Sequence, residues 1–531
     1  MAKEVYIAAV GLTKVDLTGL IFASVFDLFA EAYRKALEDS AIRAFDAVQV
    51  GIMDSEEFEN RANIATKIVD RLGLTGVPAI RSETASSTGA AALHEAYYKV
   101  ASGECENVLV LAGERMKMVT TEVATQIMSK TVDPEERRFG FTMPALIALV
   151  TQAWFRCQGI RGPARSAVLS RLMHRAHALG CENPLAAFHG RPEPLESYFD
   201  AEQNLPVATP LTRKDCSPIC DGAAAMIVTS RPQAVRLAGV ASATETSSIL
   251  DRHVLTNLEA TSRAAEIAYW RAGIARPREL EGLVVEVHDA FNSLLPIGLL
   301  DLGLAEPDDV IAMLVGDSAL IGEAALSPYD HPYTGPRGRM PTNMSGGLKA
   351  RGHPVGGTGL FQVAENYLQI TERFPNPRAR ARGARIAISN SIGGPGNNNY
   401  VTILEASGSR RRRDKVPTPR LQFESPRRRP ERAAASDLDG ASATVEAATT
   451  IHVRAGGGDP LHVALLSIGG RRVFAKLDRP PREGERVEEV LAGRKVNLLV
   501  KDDGDQYFQI PRGRAFDLGG IVAAIRRRVG G

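Results

Sequence analysis

The chain has 531 residues, 44% hydrophobic and 24% charged, which is too long for one hydrophobic core, so two or more domains are expected. A formal net charge of +2 gives no whole-chain attraction to nucleic acid, and no apolar run reaches the roughly 18 residues of a membrane span. Five cysteines, at Cys105, Cys157, Cys181, Cys216 and Cys220, fit a reducing compartment better than a disulfide framework, so a cytoplasmic protein without a nucleic-acid partner is expected.

The chain opens on a short apolar run, Tyr6-Ile7-Ala8-Ala9-Val10-Gly11, that reads as a first strand rather than a leader. A helical pattern around Ala32-Tyr33-Arg34-Lys35-Ala36 then leads to a strand at Ala47–Gly51. Ser86-Ser87-Thr88-Gly89-Ala90 opens a second helix that ends before the strand Val108–Gly113. The order then repeats. Ala268–Ile274 leads to Gly282–Val287, and Gly356-Gly357-Thr358-Gly359 opens a helix that ends before Ile386-Ala387-Ile388. Alternating strands and helices with Gly-rich turns predict two related α/β halves, with a site where they meet.

From about Ser407 to Thr450 the chain is rich in Arg, Pro, Ser and Ala, with too little apolar bulk to order itself, so a linker is expected. Its Arg410–Arg413 and Arg427–Arg429 clusters carry an electrostatic alternative, attraction of phosphates or of an acidic partner. After it, His462–Ile468, Arg472–Leu477 and Val496–Lys501 are short β-type runs separated by Gly, Pro and charged residues, which predicts a small β-barrel. The expected division is therefore 1–240, 241–406, a linker over 407–450, and a barrel over 451–531.

Five ordered stretches carry a family resemblance: Phe139–Leu146, Asp215–Ala225, His288-Asp289-Ala290-Phe291, Asn343–Gly359 with its Gly352-His353-Pro354, and Ile392–Gly396. Over roughly residues 4–405 they resemble the thiolase superfamily, nearest its sterol-carrier or lipid-transfer branch. The resemblance implies a duplicated thiolase fold acting on acyl-CoA, with coenzyme A thioester as substrate and no permanently bound cofactor, and a homodimer through that core. The barrel resembles the OB-fold domain of the DUF35 type that accompanies such proteins. The zinc ribbon such partners often carry is not expected, because no cysteine follows Cys220.

The resemblance also assigns site residues. Ser86 stands where the family has its nucleophilic cysteine, His353 is implied as the base or carbonyl-binding group, and His288 as an oxyanion donor. Asn343, Gly352, Asn390, Gly393 and Gly394 are the expected substrate-binding positions. None of Ser389, Asn390 and Ser391 is a good proton acceptor where the family places its second base. Cys216 and Cys220 are expected to be structural.

Three functions follow. The first is a C–C bond-making or -breaking acyltransferase using Ser86, against which stands the plainer reading of Ser86 as a helix N-cap that needs no chemistry. The second is a retro-aldolase on a β-hydroxyacyl-CoA, for which Tyr329 or Tyr333 is a candidate group. The third is a non-catalytic acyl-CoA or lipid-binding scaffold.

Overall fold

Strands in this chain are built from almost continuous apolar runs, as a sheet covered on both faces requires. In the computed structural model, residues 3–316, 327–409, 411–421, 438–453, 458–479, 481, 487, 491–501 and 505–509 are described. Their strands in chain order are β1 (Tyr6–Leu12), β2 (Ala47–Gly51), β3 (Ala79–Ser82), β4 (Asn107–Arg115), the short β5 (Pro206–Ala208) and β6 (Leu211–Thr212), β7 (Asp221–Thr229), β8 (Val235–Thr244), β9 (Leu283–Glu286), β10 (Ile386–Gly393) and β11 (Asn398–Ala406). After them come β12 (Ser442–Ile451), β13 (Leu461–Ile468), β14 (Arg471–Leu477), β15 (Lys495–Val500) and β16 (Gln506–Gln509).

The duplication is visible in strand order. One half runs β3-β2-β4-β7-β1 and the other, mirrored, β9-β10-β11-β8. A bridge between Val285 and Thr342 stands outside β9 where the first half has β3. The halves join through β1 and β8 at two residue pairs, Tyr6 with Arg236 and Ile7 with Val235. The predicted helices fall at matching places, Val25–Glu38 and Glu259–Ala272. The first buries Val25, Leu28, Phe29, Ala32 and Ala36 on one face, and its N-terminus is capped by Ser24, whose Oγ accepts from Asp27 N–H at 3.2 Å.

Between the halves lie two central helices, Thr88–Ser102 and Thr358–Ile370, which pack on each other and on strands of both halves. Their N-terminal turns meet backbone to backbone. A Cβ on Gly89 would stand 2.8 Å from Leu360 N, and one on Gly359 would stand 2.6 Å from Ala90 N, so glycine is required at this crossing. The sequence pattern did not signal the excursion over residues 116–220 between β4 and β7. It carries the helices Met143–Cys157 and Pro163–Glu182.

The five strands β12-β13-β14-β16-β15 close on themselves, because β12 pairs with both β13 and β15. The expected barrel is therefore present, but β12 starts at Ser442, inside the stretch assigned to the linker. Its Ala443, Val445, Ala447 and Ala448 are buried, so small apolar residues, which carry a weak β signal, suffice where packing supplies the rest. The barrel docks on the core. Phe474 of β14 lies 4.5 Å from the Phe141 ring and 6.0 Å from that of Phe139, and Ile451 pairs with Ala208 of β5.

Within the Arg-rich stretch, Arg411 donates to the carbonyls of Ala272 and Gly273 at 2.7 Å each, and Arg413 donates to Arg271 O. These two arginines satisfy the open carbonyl end of the helix Glu259–Ala272, so the phosphate-attracting alternative does not describe them. Arg410 and Arg427–Arg429 lie outside the described residues. No described helix is long and apolar enough to cross a membrane.

Candidate active site

Ser86 sits on a turn that the central helix forces into shape. The helix begins at Thr88, with Ser87 as its flanking residue. Thr88 Oγ1 accepts from Thr84 N–H at 2.9 Å, while Ser87 Oγ donates to Thr84 O at 2.8 Å. Ala85 takes φ +52°, the left-handed region that a residue with a Cβ rarely occupies. Ser86 therefore does not cap the helix, which corrects the N-cap reading. Its hydroxyl makes no hydrogen bond to a described residue and borders a cavity of about 840 Å³.

Two histidines share that cavity wall. His288 and His353 meet edge to face, with ring centroids 5.3 Å apart. His288 follows β9, and its backbone N–H donates to Asn390 Oδ1 of β10 at 3.0 Å. Its Nδ1 accepts from Ile392 N–H at 3.3 Å. An accepting Nδ1 has no proton, so the neutral ring carries its hydrogen on Nε2 and is a donor there.

His353 is arranged the other way round. Its Nδ1 lies 2.6 Å from Thr358 Oγ1, and that hydroxyl donates its proton to Pro354 O at 3.1 Å. With the hydroxyl proton on Pro354 O, Nδ1 is the donor to Thr358 Oγ1 and a lone pair is left on Nε2. The backbone N–H of His353 donates to Cys220 Sγ at 3.1 Å. Burial, with Arg351 adding to it, pushes His353 down to about 3. Burial and the neighbouring His353 hold His288 well below the usual histidine range. Both rings are neutral at physiological pH, so one offers an N–H and the other a lone pair.

The remaining assigned residues divide. Gly394 lines the cavity beside Ile392. Gly393 lies behind it, where a Cβ would strike Thr84 O and Ser87 Oγ. Asn343 is occupied at both ends: Oδ1 accepts from Val287 N–H at 2.7 Å and Nδ2 donates to Val287 O at 3.0 Å. Asn390 holds the His288 backbone. Gly352, at φ +109°, makes a turn against Val15, Ala187 and Cys220. Asn343, Asn390, Gly352 and Gly393 stand behind the residues that line the cavity, with the two amides engaged by the backbone of Val287 and His288.

The tyrosine candidates are also placed elsewhere. Tyr329 OH accepts from Asn376 Nδ2 at 3.0 Å and Tyr333 is exposed, and neither borders this cavity. All five cysteines are free. Of them only Cys216 lines the cavity, and burial pushes its thiol up to about 12, so it is not a thiolate near neutral pH. Cys220 is a buried partner of His353. Ser391 Oγ is buried with no hydrogen-bond partner.

Three groups escaped sequence reasoning: Thr358, which orients His353, Ile392 N–H, which sets the His288 proton, and Lys349, whose side chain borders the cavity. Thr358 and Lys349 lie inside the Asn343–Gly359 motif, and only their positions in that motif marked them out. Among the described residues, no group of three or more His, Cys, Asp or Glu side chains is placed to hold a metal ion.

Residues 5–161 match the family of the thiolase N-terminal domain, and residues 241–406 match the thiolase C-terminal domain-like family. An acetyl-CoA acetyltransferase of Methanothermobacter thermautotrophicus is 32% identical over 409 residues, 75% of this chain and 99% of that protein. Among solved structures, a monomeric SCP2-thiolase like protein type 1 of Mycobacterium smegmatis covers 96% of this chain and 99% of its own, at 18% identity and TM-score 0.68. The Ltp2-ChsH2(DUF35) aldolase covers 77% of this chain and 99% of its own, at 19% identity and TM-score 0.61. At these identities the two structures speak for the fold alone.

Proposed function

The chain belongs to the thiolase family, and on that premise we propose that it makes or breaks a carbon–carbon bond beside a coenzyme A thioester. In this reading Ser86 accepts the acyl group. The thioester oxygen is held by His288 Nε2–H, His353 Nε2 takes the serine proton as the new C–O bond forms, and the C–S electrons leave with the coenzyme A sulfur, which receives that proton from His353 and departs as the thiol. The observation that carries the reading is the pair of buried imidazoles, 5.3 Å apart in one wall of the cavity that Ser86 borders, with His288 fixed as an Nε2–H donor by Ile392 N–H and His353 assigned as the proton acceptor. The unbonded Ser86 hydroxyl on its strained turn supports it, as does the relative named an acetyl-CoA acetyltransferase.

A second reading, retro-aldol cleavage of a β-hydroxyacyl-CoA, is favoured by one specific observation: no cysteine thiolate is available in the cavity. Cleavage in that direction needs neither an acyl-enzyme nor removal of a Cα proton. A base takes the β-hydroxyl proton, the Cα–Cβ electrons pass into the thioester as an enolate held by His288, and a proton then returns to Cα. The structural likeness to an aldolase is compatible with this course.

We further propose that two copies associate through β3, which stands at the edge of the sheet with Ile80 56% exposed.

The deciding experiment incubates the purified full chain and its Ser86→Ala variant with acyl-CoA and β-hydroxyacyl-CoA thioesters, and reads products and intact protein mass. Added acyl mass on the wild type that vanishes in the variant supports acyl transfer. A shortened CoA ester plus a carbonyl product, equal in both proteins and without adduct, replaces it with the aldolase. No turnover of any thioester defeats both readings and favours a scaffold.

A further inference from the structure

Lys349 is a charged side chain that the fold buries without fully satisfying. It stands in the helical turn Gly347–Ala350, is 5% exposed, and borders the same cavity as Ser86 and His353. The turn is pinned from behind, since Asp289 Oδ1 accepts from Leu348 N–H at 2.6 Å. Its Nζ donates to Cys216 O at 3.4 Å and lies 5.4 Å from the centre of the Phe188 ring.

The carboxylates nearby are engaged elsewhere. Glu193 pairs with Lys214 at 2.6 Å. Asp215 accepts from Thr212 N–H at 2.8 Å and Thr212 Oγ1 at 2.7 Å, and from Asn292 Nδ2 at 3.3 Å. Among the described residues no carboxylate lies within 4 Å of the Lys349 ammonium. An ammonium has three N–H donors, and taking it from water is costly unless they are met. Here one long bond meets one of them, and the others have the cavity to fill. Lys349 serves neither proton step of the reaction outlined above.

We infer that Lys349 is the recognition group for a carboxylate carried by the acyl chain, so that the acyl group is a dicarboxylic or otherwise acid-bearing one rather than a plain hydrocarbon. The inference rests on the CoA-thioester reading of the site. Position in the cavity favours the acyl group over the phosphates of coenzyme A. Lys349 lines the same cavity as Ser86 and His353, where the acyl carbonyl is placed in the proposed reaction, whereas those phosphates lie at the far end of the pantetheine arm. The exposed Arg213, which also borders the cavity, is better placed for them.

The test measures affinity of the full chain for free coenzyme A, valeryl-CoA and glutaryl-CoA by titration calorimetry. The last two have acyl chains of equal carbon number and differ in the terminal carboxylate. The wild type is expected to prefer glutaryl-CoA by about 10- to 100-fold, the worth of a charge-assisted hydrogen bond, and Lys349→Met to abolish that preference while leaving valeryl-CoA binding unchanged. Equal wild-type affinity for the two esters overturns the inference whether or not the variant folds. Loss of affinity for all three ligands in a folded Lys349→Met protein overturns it as well, since Lys349 would then serve the coenzyme. If none of the three binds the wild type, the CoA-thioester reading itself falls.

Discussion

His288 and His353 stand edge to face, 5.3 Å between ring centres, with their Nδ1 atoms committed in opposite senses: one accepts from Ile392 N–H and the other faces the Thr358 hydroxyl. The His288 proton is therefore set by the backbone before any ligand arrives, and Thr358 holds the His353 ring in place. Thr358 is a positioning residue on this account. Thr358→Val should lower kcat about tenfold with KM little changed, the worth of one buried hydrogen bond, and Thr358→Ser should restore most of it. Equal losses in kcat and in unfolding free energy, with no rescue by serine, would make Thr358 merely structural.

The proposed reaction makes Ser86, on its strained turn, the acyl acceptor. Ser86→Cys should raise the rate of protein acylation by an acyl-CoA about tenfold or more at pH 8, because a thiol near a helix N-terminus ionises far more readily than a hydroxyl. Intact mass against time reads it directly. An unchanged rate would show that the acyl carbon does not reach this turn.

His94 supplies a stability prediction outside the site. It is fully buried with Nε2 2.8 Å from Thr402 Oγ1, and burial, then Arg271, pushes it down to about 3. The unfolded chain takes up the proton near pH 6.5 and the folded one does not, so stability falls as pH drops below about 6.5 and goes on falling toward 3. Between pH 6.5 and 5 this amounts to about 2 kcal/mol. Urea unfolding of wild type and His94→Gln at pH 7 and pH 5 should show the variant losing less by that amount. Parallel losses would remove His94 as a source of acid sensitivity.

Phe474 joins the barrel to the core against Phe139 and Phe141. Phe474→Ala should cost about 3–5 kcal/mol and loosen the barrel, whose Val453 reaches the cavity wall. Limited proteolysis should then cut between the core and barrel faster than in the wild type, with loss of turnover. Unchanged cleavage would mean that the other contacts of barrel and core, among them Ile451 with Ala208, Thr449 with Thr209 and Arg138 with Asp505, suffice to hold the barrel.

Ile80 tests the association proposed through β3. Ile80→Lys should turn a two-copy species into a single one by light scattering at micromolar concentration, since a charge on an exposed edge opposes strand pairing. A single-copy wild type would remove the proposal.

Sequence was enough for the order of the motifs, the duplicated α/β plan, the barrel, and Ser86, His288 and His353 as residues to watch, because each of those signals is local. A Gly-rich turn, an apolar run or a helix opening leaves its mark within a few consecutive positions. Partnership was not legible in that way. The proton on His288 depends on Ile392 N–H, 104 residues away, and the His353 backbone is tied to Cys220, 133 residues away. Asn343 reads as a binding residue until Val287 is found to occupy both ends of its amide. The start of β12 was missed because its small apolar residues become a strand only by pairing with β13 and β15. Beyond its place in the Gly-rich motif, nothing in the sequence sets Lys349 apart until the tertiary structure buries it, since burial and hydrogen-bond satisfaction are set by elements distant in the chain.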